Sequence, residues 1–84
     1  MKGMIRLYDY TLPKLGQSDS EIEILELMVK AGDSVKSGDP IVEVETEKAS
    51  TILESEIDGV VEEVLVKNGD FIKVGTIICK IKEK

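Results

Sequence analysis

Lys48 has the sequence setting that most suggests chemistry in this 84-residue chain. It stands in the run Glu45-Thr46-Glu47-Lys48-Ala49, closely flanked by two segments that read as strands, 41–46 and 49–53. Such segments can form a tight hairpin, whose tip can be presented to another protein without disturbing a core. An exposed lysine has a pKa near ~10.4, so its protonated amine is a poor nucleophile at neutral pH. The position therefore predicts a lysine that a separate enzyme acylates.

An internal repeat places this hairpin at its junction. Residues 27–45 (LMVKAGDSVKSGDPIVEVE) align without a gap with residues 64–82 (VLVKNGDFIKVGTIICKIK), at an offset of 37. Extended in both directions, the offset divides the chain into halves 11–47 and 48–84. If the two halves build the same unit, the Lys48 hairpin and the C-terminal residues should occupy equivalent corners.

Period-2 alternation of apolar residues and regular glycine turns predict an all-β chain. We expect two small antiparallel four-stranded sheets, packed face to face as a flattened barrel or sandwich (a barrel-sandwich hybrid) with a pseudo-two-fold axis. The inward face of the 41–46 strand carries Val42, Val44 and Thr46, and the inward face of its repeat carries Ile77, Cys79 and Ile81. The other strands are predicted near residues 5–8, 21–29, 49–53, 60–66 and 71–74, and the expected core includes Val42, Val44, Val64 and Ile81.

Length and charge limit the function. We predict a single domain over residues 11–84, preceded by an N-terminal segment with the first strand over 1–10. The net charge of −6 argues against nucleic-acid and anionic-membrane partners, which both require a basic patch, and favours partners with basic docking surfaces. No apolar run approaches the ~18 residues of a membrane span, and the start lacks a signal-peptide pattern. We expect a cytoplasmic protein, or a mitochondrial matrix protein in a eukaryote.

The remaining reactive side chains are better explained by structure. The chain has one cysteine and no histidine, which excludes an intramolecular disulfide and a closed Cys/His zinc site and removes the commonest general base. Cys79 is predicted to be a small core residue. Glu43 and Glu45 share an outward strand face, which we interpret as solvated. The sequence therefore predicts a chain that is not itself an enzyme.

Short motifs between Leu12 and Lys82 form a pattern found in one known family. They are Leu12-Pro13-Lys14-Leu15-Gly16, Gly32-Asp33, Gly38-Asp39-Pro40, Glu45-Thr46-Glu47-Lys48-Ala49, Gly59-Val60-Val61 and Gly69-Asp70. On these residues the chain resembles a lipoyl domain from the acyltransferase (E2) component of 2-oxo acid or acetoin dehydrogenase complexes. In that family the lysine matching Lys48 carries lipoic acid in amide linkage, and residues matching Glu47 and Ala49 flank it and are read by the ligase. Two departures are Glu47, where aspartate is usual, and 54–56, where prolines are common.

The resemblance implies a carrier. Lipoate on Lys48 would act as a swinging arm that moves acyl groups and electrons between a thiamine-diphosphate-dependent E1, the E2 acyltransferase core and a flavoprotein dihydrolipoamide dehydrogenase (E3). A lipoate ligase or lipoyl transferase would load it. The domain would be non-catalytic and monomeric, a fragment of a dihydrolipoamide acyltransferase.

Two alternatives remain open at this point. A biotinyl carrier domain of a carboxylase shares the fold, but its lysine lies between two methionines, where this chain has Glu47 and Ala49. An unmodified barrel-sandwich module used only for packing is the second alternative. Such a module has no reason to keep a lysine at the hairpin tip.

Overall fold

The computed structural model describes residues 6–15, 21–47 and 49–84. These residues form strands and turns only, and they contain no helix of the length and apolarity that a membrane span requires. The all-β prediction is confirmed. The strands are β1 (Leu7–Thr11), β2 (Ile22–Leu27), β3 (Ser34–Val35), β4 (Pro40–Glu45), β5 (Ser50–Glu54), β6 (Gly59–Val64), β7 (Phe71–Ile72) and β8 (Ile77–Glu83).

The strands form two four-stranded antiparallel sheets, as predicted. One sheet has the order β1-β8-β6-β3 and the other β5-β4-β2-β7. The two orders are equivalent under the repeat. Each strand of the first corresponds to the strand at the same place in the second: β1 to β5, β8 to β4, β6 to β2 and β3 to β7. The two-residue strand β3 had no prediction of its own, although its counterpart β7 did. The topology therefore has the expected pseudo-two-fold relation.

Backbone hydrogen bonds reproduce the sequence repeat. The Gly32 N–H donates to the Val61 carbonyl at 2.7 Å, and the Gly69 N–H donates to the Ile24 carbonyl at 2.8 Å. Donors and acceptors are each related by 37 positions. Each bond joins a turn of one half to a strand of the other, so the duplicated turns hold the two halves together.

The aspartates of the duplicated turns have the same role. Asp33 and Asp70 each accept, through a carboxylate oxygen at 2.9 Å, the backbone N–H of the residue three positions earlier. The preceding glycines, Gly32 and Gly69, have φ of 97° and 91°, a region that L side chains rarely adopt. Turn geometry explains why Gly-Asp recurs at both positions.

The first strand follows a different offset. The Gly38 N–H donates to the Ser55 carbonyl, and the equivalent Gly75 N–H donates to the Leu12 carbonyl, at 2.8 and 2.9 Å. Ser55 and Leu12 are 43 positions apart, because the β1–β2 connection is six residues longer than the β5–β6 connection. Strand β1 crosses the division predicted between residues 10 and 11. It pairs with β8, and its Tyr10 is buried in the common core.

The core is aliphatic and lies between the sheets. Cys79 and the predicted Val42, Val44 and Ile81 are fully buried, whereas Val64 is partly buried and packs against this core from its edge, so its prediction is confirmed only in part. The buried apolar residues are Tyr10, Leu12, Ile22, Ile24, Val35, Ile41, Val42, Val44, Val61, Val66, Ile72, Ile78, Cys79 and Ile81.

Two bulges explain a second difference from simple alternation. Ile41 and Ile78 are fully buried, although each adjoins a buried residue on the same strand. The β4–β5 register shifts between Pro40 and Val42, and the β1–β8 register skips Ile78 between its partners for Tyr10 and Thr11. A bulge residue breaks the period of two and turns an additional side chain inward. The two bulges occupy repeat-equivalent positions.

Ile81→Ala should lower the free energy of unfolding by ~2–5 kcal/mol, through lost transfer energy and the cavity left behind. Ile52→Ala is the matched control, because Ile52 is also a strand isoleucine but 50% exposed. Its cost should stay below ~1 kcal/mol. Urea denaturation of both variants measures the difference, and equal losses would contradict this assignment of the core.

Candidate functional site

The β4–β5 hairpin carries the predicted site. The last strand pair is Glu45 with Ser50, and the Thr46 N–H then donates to the Ala49 carbonyl at 2.9 Å. Only positions 47 and 48 remain between these two bonded residues. Glu47 and Ala49 are both exposed. Lys48 itself lies outside the described residues, so its predicted exposure stays a prediction.

The Thr46 side chain adds two more bonds across the hairpin. Its hydroxyl donates to the Ala49 carbonyl at 3.0 Å and accepts the Ala49 N–H at 3.3 Å. Three hydrogen bonds therefore join Thr46 to Ala49. Sequence reasoning placed Thr46 on the inward face of its strand and missed this contact. A hydroxyl residue next to a two-residue tip was the available signal, since threonine commonly bonds nearby backbone groups.

The repeat-equivalent corner lies where the two ends of the described chain meet. There the Glu83 N–H donates to the Arg6 carbonyl at 3.0 Å. Glu83 is 37 positions after Thr46, and Arg6 is 43 positions before Ala49, which are the two offsets found in the fold. The prediction that the hairpin and the C-terminal residues occupy equivalent corners is confirmed.

The sheet that carries the hairpin has an acidic outer face. Glu23 pairs with Glu45, and Glu26 pairs with Glu43, while the pair between them, Ile24 with Val44, is fully buried. Paired residues lie on the same side of a sheet, so the four carboxylates share the outward side. Phe71, 60% exposed, pairs with Glu23, and Ile52 pairs with Glu43. We call Glu23, Glu26, Glu43 and Glu45 the acidic face.

The other sheet shows that the fold does not require these like charges. The repeat equivalents of Glu43 and Glu45 are Lys80 and Lys82. Lys80 lies between Asp9 and Glu63 in the register, and its Nζ is 3.9 Å from the Asp9 carboxylate. Opposite charges thus face each other there, whereas glutamates face glutamates beside the hairpin. Like charges directly opposite destabilise a sheet, so the acidic face has an energetic cost.

Cys79 and Tyr10 are core residues of the other sheet. Burial raises the pKa of the Cys79 thiol to about 11, so the thiol stays protonated at neutral pH. Burial also raises the pKa of Tyr10 well above its usual value. The Tyr10 hydroxyl donates to the Glu54 carbonyl at 2.8 Å and thereby ties β1 to the end of β5. The structural interpretation of Cys79 is supported, and the cross-sheet bond of Tyr10 had no sequence signal.

The segment that departs from the family pattern is held without proline. Ser55 is buried, its hydroxyl donates to the Ile57 carbonyl at 2.7 Å, and it accepts the Ile57 N–H at 3.2 Å. The Glu56 carboxylate accepts the Tyr8 hydroxyl at 3.2 Å. Local hydrogen bonds therefore fix the β5–β6 connection.

Comparison with known proteins places this geometry in a family. The model of the biotin/lipoyl family, described as "Biotin-requiring enzyme", matches residues 9–81. The chain belongs to this family. Residues matching that model include both hairpin strands and the whole tip. The family covers two cofactors, so membership alone leaves the attached group open.

The relatives are lipoyl proteins. The chain is 38% identical over 74 residues to the dihydrolipoyllysine-residue acetyltransferase component of the pyruvate dehydrogenase complex from Staphylococcus aureus, and equally to the same component from Staphylococcus epidermidis. The match covers 88% of this chain and 17% of each relative. The chain therefore spans about a sixth of those proteins.

A solved structure agrees with the fold. The lipoyl domain of the 2-oxoglutarate dehydrogenase complex from Azotobacter vinelandii matches with a TM-score of 0.74 and 29% identity. The match covers 89% of this chain and 95% of that domain. The resemblance stated from the sequence is confirmed.

Glu43→Lys should stabilise the domain at low ionic strength, because it places a lysine opposite Glu26, as the equivalent Lys80 lies opposite Glu63 in the other sheet. The expected gain in the free energy of unfolding is about 0.5–1 kcal/mol, measured by urea denaturation. Glu62→Lys gives the same change of net charge outside the acidic face and should gain less. The difference should shrink in ~1 M salt, where the Debye length falls to ~3 Å. Equal gains at low salt would mean that net charge alone matters.

The native Cys79 thiol should resist an aromatic disulfide reagent at pH 8, because it is both fully buried and protonated. In denaturing urea the same thiol should react fully within the mixing time. Absorbance of the released thiolate follows the reaction. Fast labelling of the folded protein would show that the β8 core opens far more easily than the packing indicates.

Proposed function

We propose that this chain is a lipoyl carrier domain of a 2-oxo acid dehydrogenase acyltransferase, with lipoate in amide linkage on Lys48. The observation that carries the proposal is a two-residue tip, closed by Thr46 and Ala49, whose second position is the hairpin's lysine. The domain that contains it has the fold of a solved lipoyl domain over 89% of its length.

The residues at the tip suit an amide-linked group. Attachment needs one primary amine on a segment that an enzyme can surround, and exposed Glu47 and Ala49 bracket position 48. The strands β4 and β5 fix both ends of that segment. When bound, lipoate supplies a dithiolane that can take up an acyl group and two electrons. The carrier itself needs no acid, base or nucleophile for this role.

The remaining surface supports a carrier that visits several enzymes. The net charge of −6 and the acidic face favour partners whose docking surfaces are basic. Tethering raises the effective concentration of a carrier at each site, so weak contacts suffice. We propose a thiamine-diphosphate-dependent E1, the acyltransferase core and a flavoprotein dihydrolipoamide dehydrogenase as those partners, and a lipoate ligase or lipoyl transferase as the loading enzyme. The domain itself is proposed to be monomeric.

The buried cysteine is compatible with disulfide chemistry on the arm. Thiol–disulfide exchange proceeds through a thiolate, and its rate depends on access. Cys79 is fully buried, and its pKa of about 11 keeps it protonated. The domain's own thiol therefore stays out of exchange with an attached dithiol.

Two observations favour lipoate over biotin. The relatives with 38% identity are lipoyl proteins by name, and the solved structure that matches is a lipoyl domain. Glu47 and Ala49 also differ from the methionines that flank a biotinylated lysine. A biotinyl domain remains the alternative function to be tested, because the family includes both.

Incubation with a lipoate ligase, lipoate and ATP should add one lipoyl group to the parent domain, and Lys48→Arg should abolish the addition because it removes the acylated amine. Intact mass and peptide mapping measure the product. Lys67→Arg is the matched control, since Lys67 is an exposed turn lysine of the other half. A biotin ligase run in parallel should add nothing.

Several outcomes would contradict the proposal. Modification that persists in Lys48→Arg would move the site elsewhere. Biotinylation without lipoylation would favour the biotinyl alternative, and no product from either ligase would favour the packing module.

A further inference from the structure

We propose that the Thr46 hydroxyl is a positioning group for the modification of Lys48: it sets the hairpin-tip geometry that the loading enzyme recognises. This inference rests on the proposed function, because it takes Lys48 as the residue that is acylated. Thr46 precedes the lysine by two positions and is not itself acylated. We propose that it acts indirectly, through its hydrogen bonds to the backbone of the tip.

Thr46 holds both backbone polar groups of one residue, Ala49. The hydroxyl accepts the Ala49 N–H at 3.3 Å and donates to the Ala49 carbonyl at 3.0 Å, in addition to the backbone bond of 2.9 Å. The backbone bond alone leaves Ala49 free to rotate about its own dihedral angles. Hydrogen bonds to both its N–H and its carbonyl restrict those angles. They also fix the distance between Thr46 and Ala49, which positions 47 and 48 must span.

The equivalent corner provides an internal comparison. There the Glu83 N–H donates to the Arg6 carbonyl at 3.0 Å, which reproduces the backbone bond of the hairpin. Position 83 carries a glutamate, so no hydroxyl is available to make the other two bonds. The fold can therefore close such a corner without a hydroxyl. The side-chain bonds belong to the corner that carries the lysine, which is what a role in modification requires.

The chemistry explains why span and orientation matter. Amide formation needs the amine within about 3–3.5 Å of the activated carboxyl carbon and correctly aligned with it. A loading enzyme that binds the tip positions the Lys48 amine by contacting the backbone on either side of it. A tip with several backbone arrangements is presented correctly for only part of the time, and the apparent affinity falls by that fraction.

Three variants separate positioning from stability. Thr46→Val keeps the shape and removes the hydroxyl, whereas Thr46→Ser keeps the hydroxyl. Thr76→Val is the matched control, because Thr76 also accepts a backbone N–H through its hydroxyl at 3.3 Å, from Lys73 in a turn of the other half. Initial rates of charging by a lipoate ligase are measured against domain concentration for the parent and each variant.

The expected result is a selective loss. The kcat/KM for charging should fall about two- to tenfold in Thr46→Val, the range expected for a lost side-chain hydrogen bond. Thr46→Ser should stay within about twofold of the parent, and Thr76→Val should match the parent. Amide hydrogen exchange of Ala49, measured by NMR on the unmodified domain, should be faster in Thr46→Val and restored in Thr46→Ser.

The outcomes that overturn the inference are distinct. Parent-like charging of Thr46→Val would show that the hydroxyl is not needed. Equal losses in Thr46→Ser and Thr46→Val, or in Thr76→Val, would mean that the defect comes from stability or shape. Unchanged exchange of Ala49 would remove the physical basis of positioning. A parent domain that no lipoate ligase charges would overturn the proposed function and this inference together, whereas a charged parent with an unaffected Thr46→Val overturns the inference alone.

Discussion

Hydrogen bonds between the two halves of the chain hold both sheets together. If the halves are taken as β1–β4 and β5–β8, four of the six strand pairings in the described residues join one half to the other: β1 with β8, β3 with β6, β2 with β7 and β4 with β5. Each sheet contains two strands from each half. Neither half can therefore bury its apolar face alone, and the core exists only when both are interleaved. The hairpin that carries the lysine is one of these joining contacts.

The two repeats have kept the same residues where the turn backbone requires them, and they differ at outward-facing strand positions. The Gly-Asp turns recur with the same hydrogen bonds to 0.1 Å, because each needs a positive φ and a carboxylate acceptor. The outward strand positions have diverged, with Glu43 and Glu45 in one sheet and Lys80 and Lys82 in the other. The differences collect on the sheet and the corner that carry the lysine. Within one molecule, the equivalent positions of the other repeat thus show what the fold requires when no lysine hairpin is present.

Much of this could be predicted from the residues. The repeat and the period of two predicted seven of the eight strands in the described residues, the paired sheets and the buried face of Val42, Val44, Cys79 and Ile81, because turn glycines and alternation are local signals. Ile41 and Ile78 were missed, since a bulge is set by the partner strand and has no local signature. The acidic face was equally hidden, because which glutamates are opposite each other depends on register between distant strands. Lys48 could be predicted from its position at the junction of the repeats. The hydrogen bonds between the Thr46 hydroxyl and Ala49 could not, because they depend on side-chain geometry.

The equivalence of the two corners also bears on how such a chain can be joined. A hairpin connects Thr46 to Ala49, while Arg6 and Glu83 meet in the same way without a link between them. A short peptide joining those ends, with the chain opened at the tip instead, would give a circular permutant that keeps every strand pairing. Two unlinked copies of one repeat would have open ends at both corners and no tip at all. The β4–β5 tip therefore exists only because the duplicated halves are covalently joined: the peptide bonds that unite them are also the ones that include Lys48.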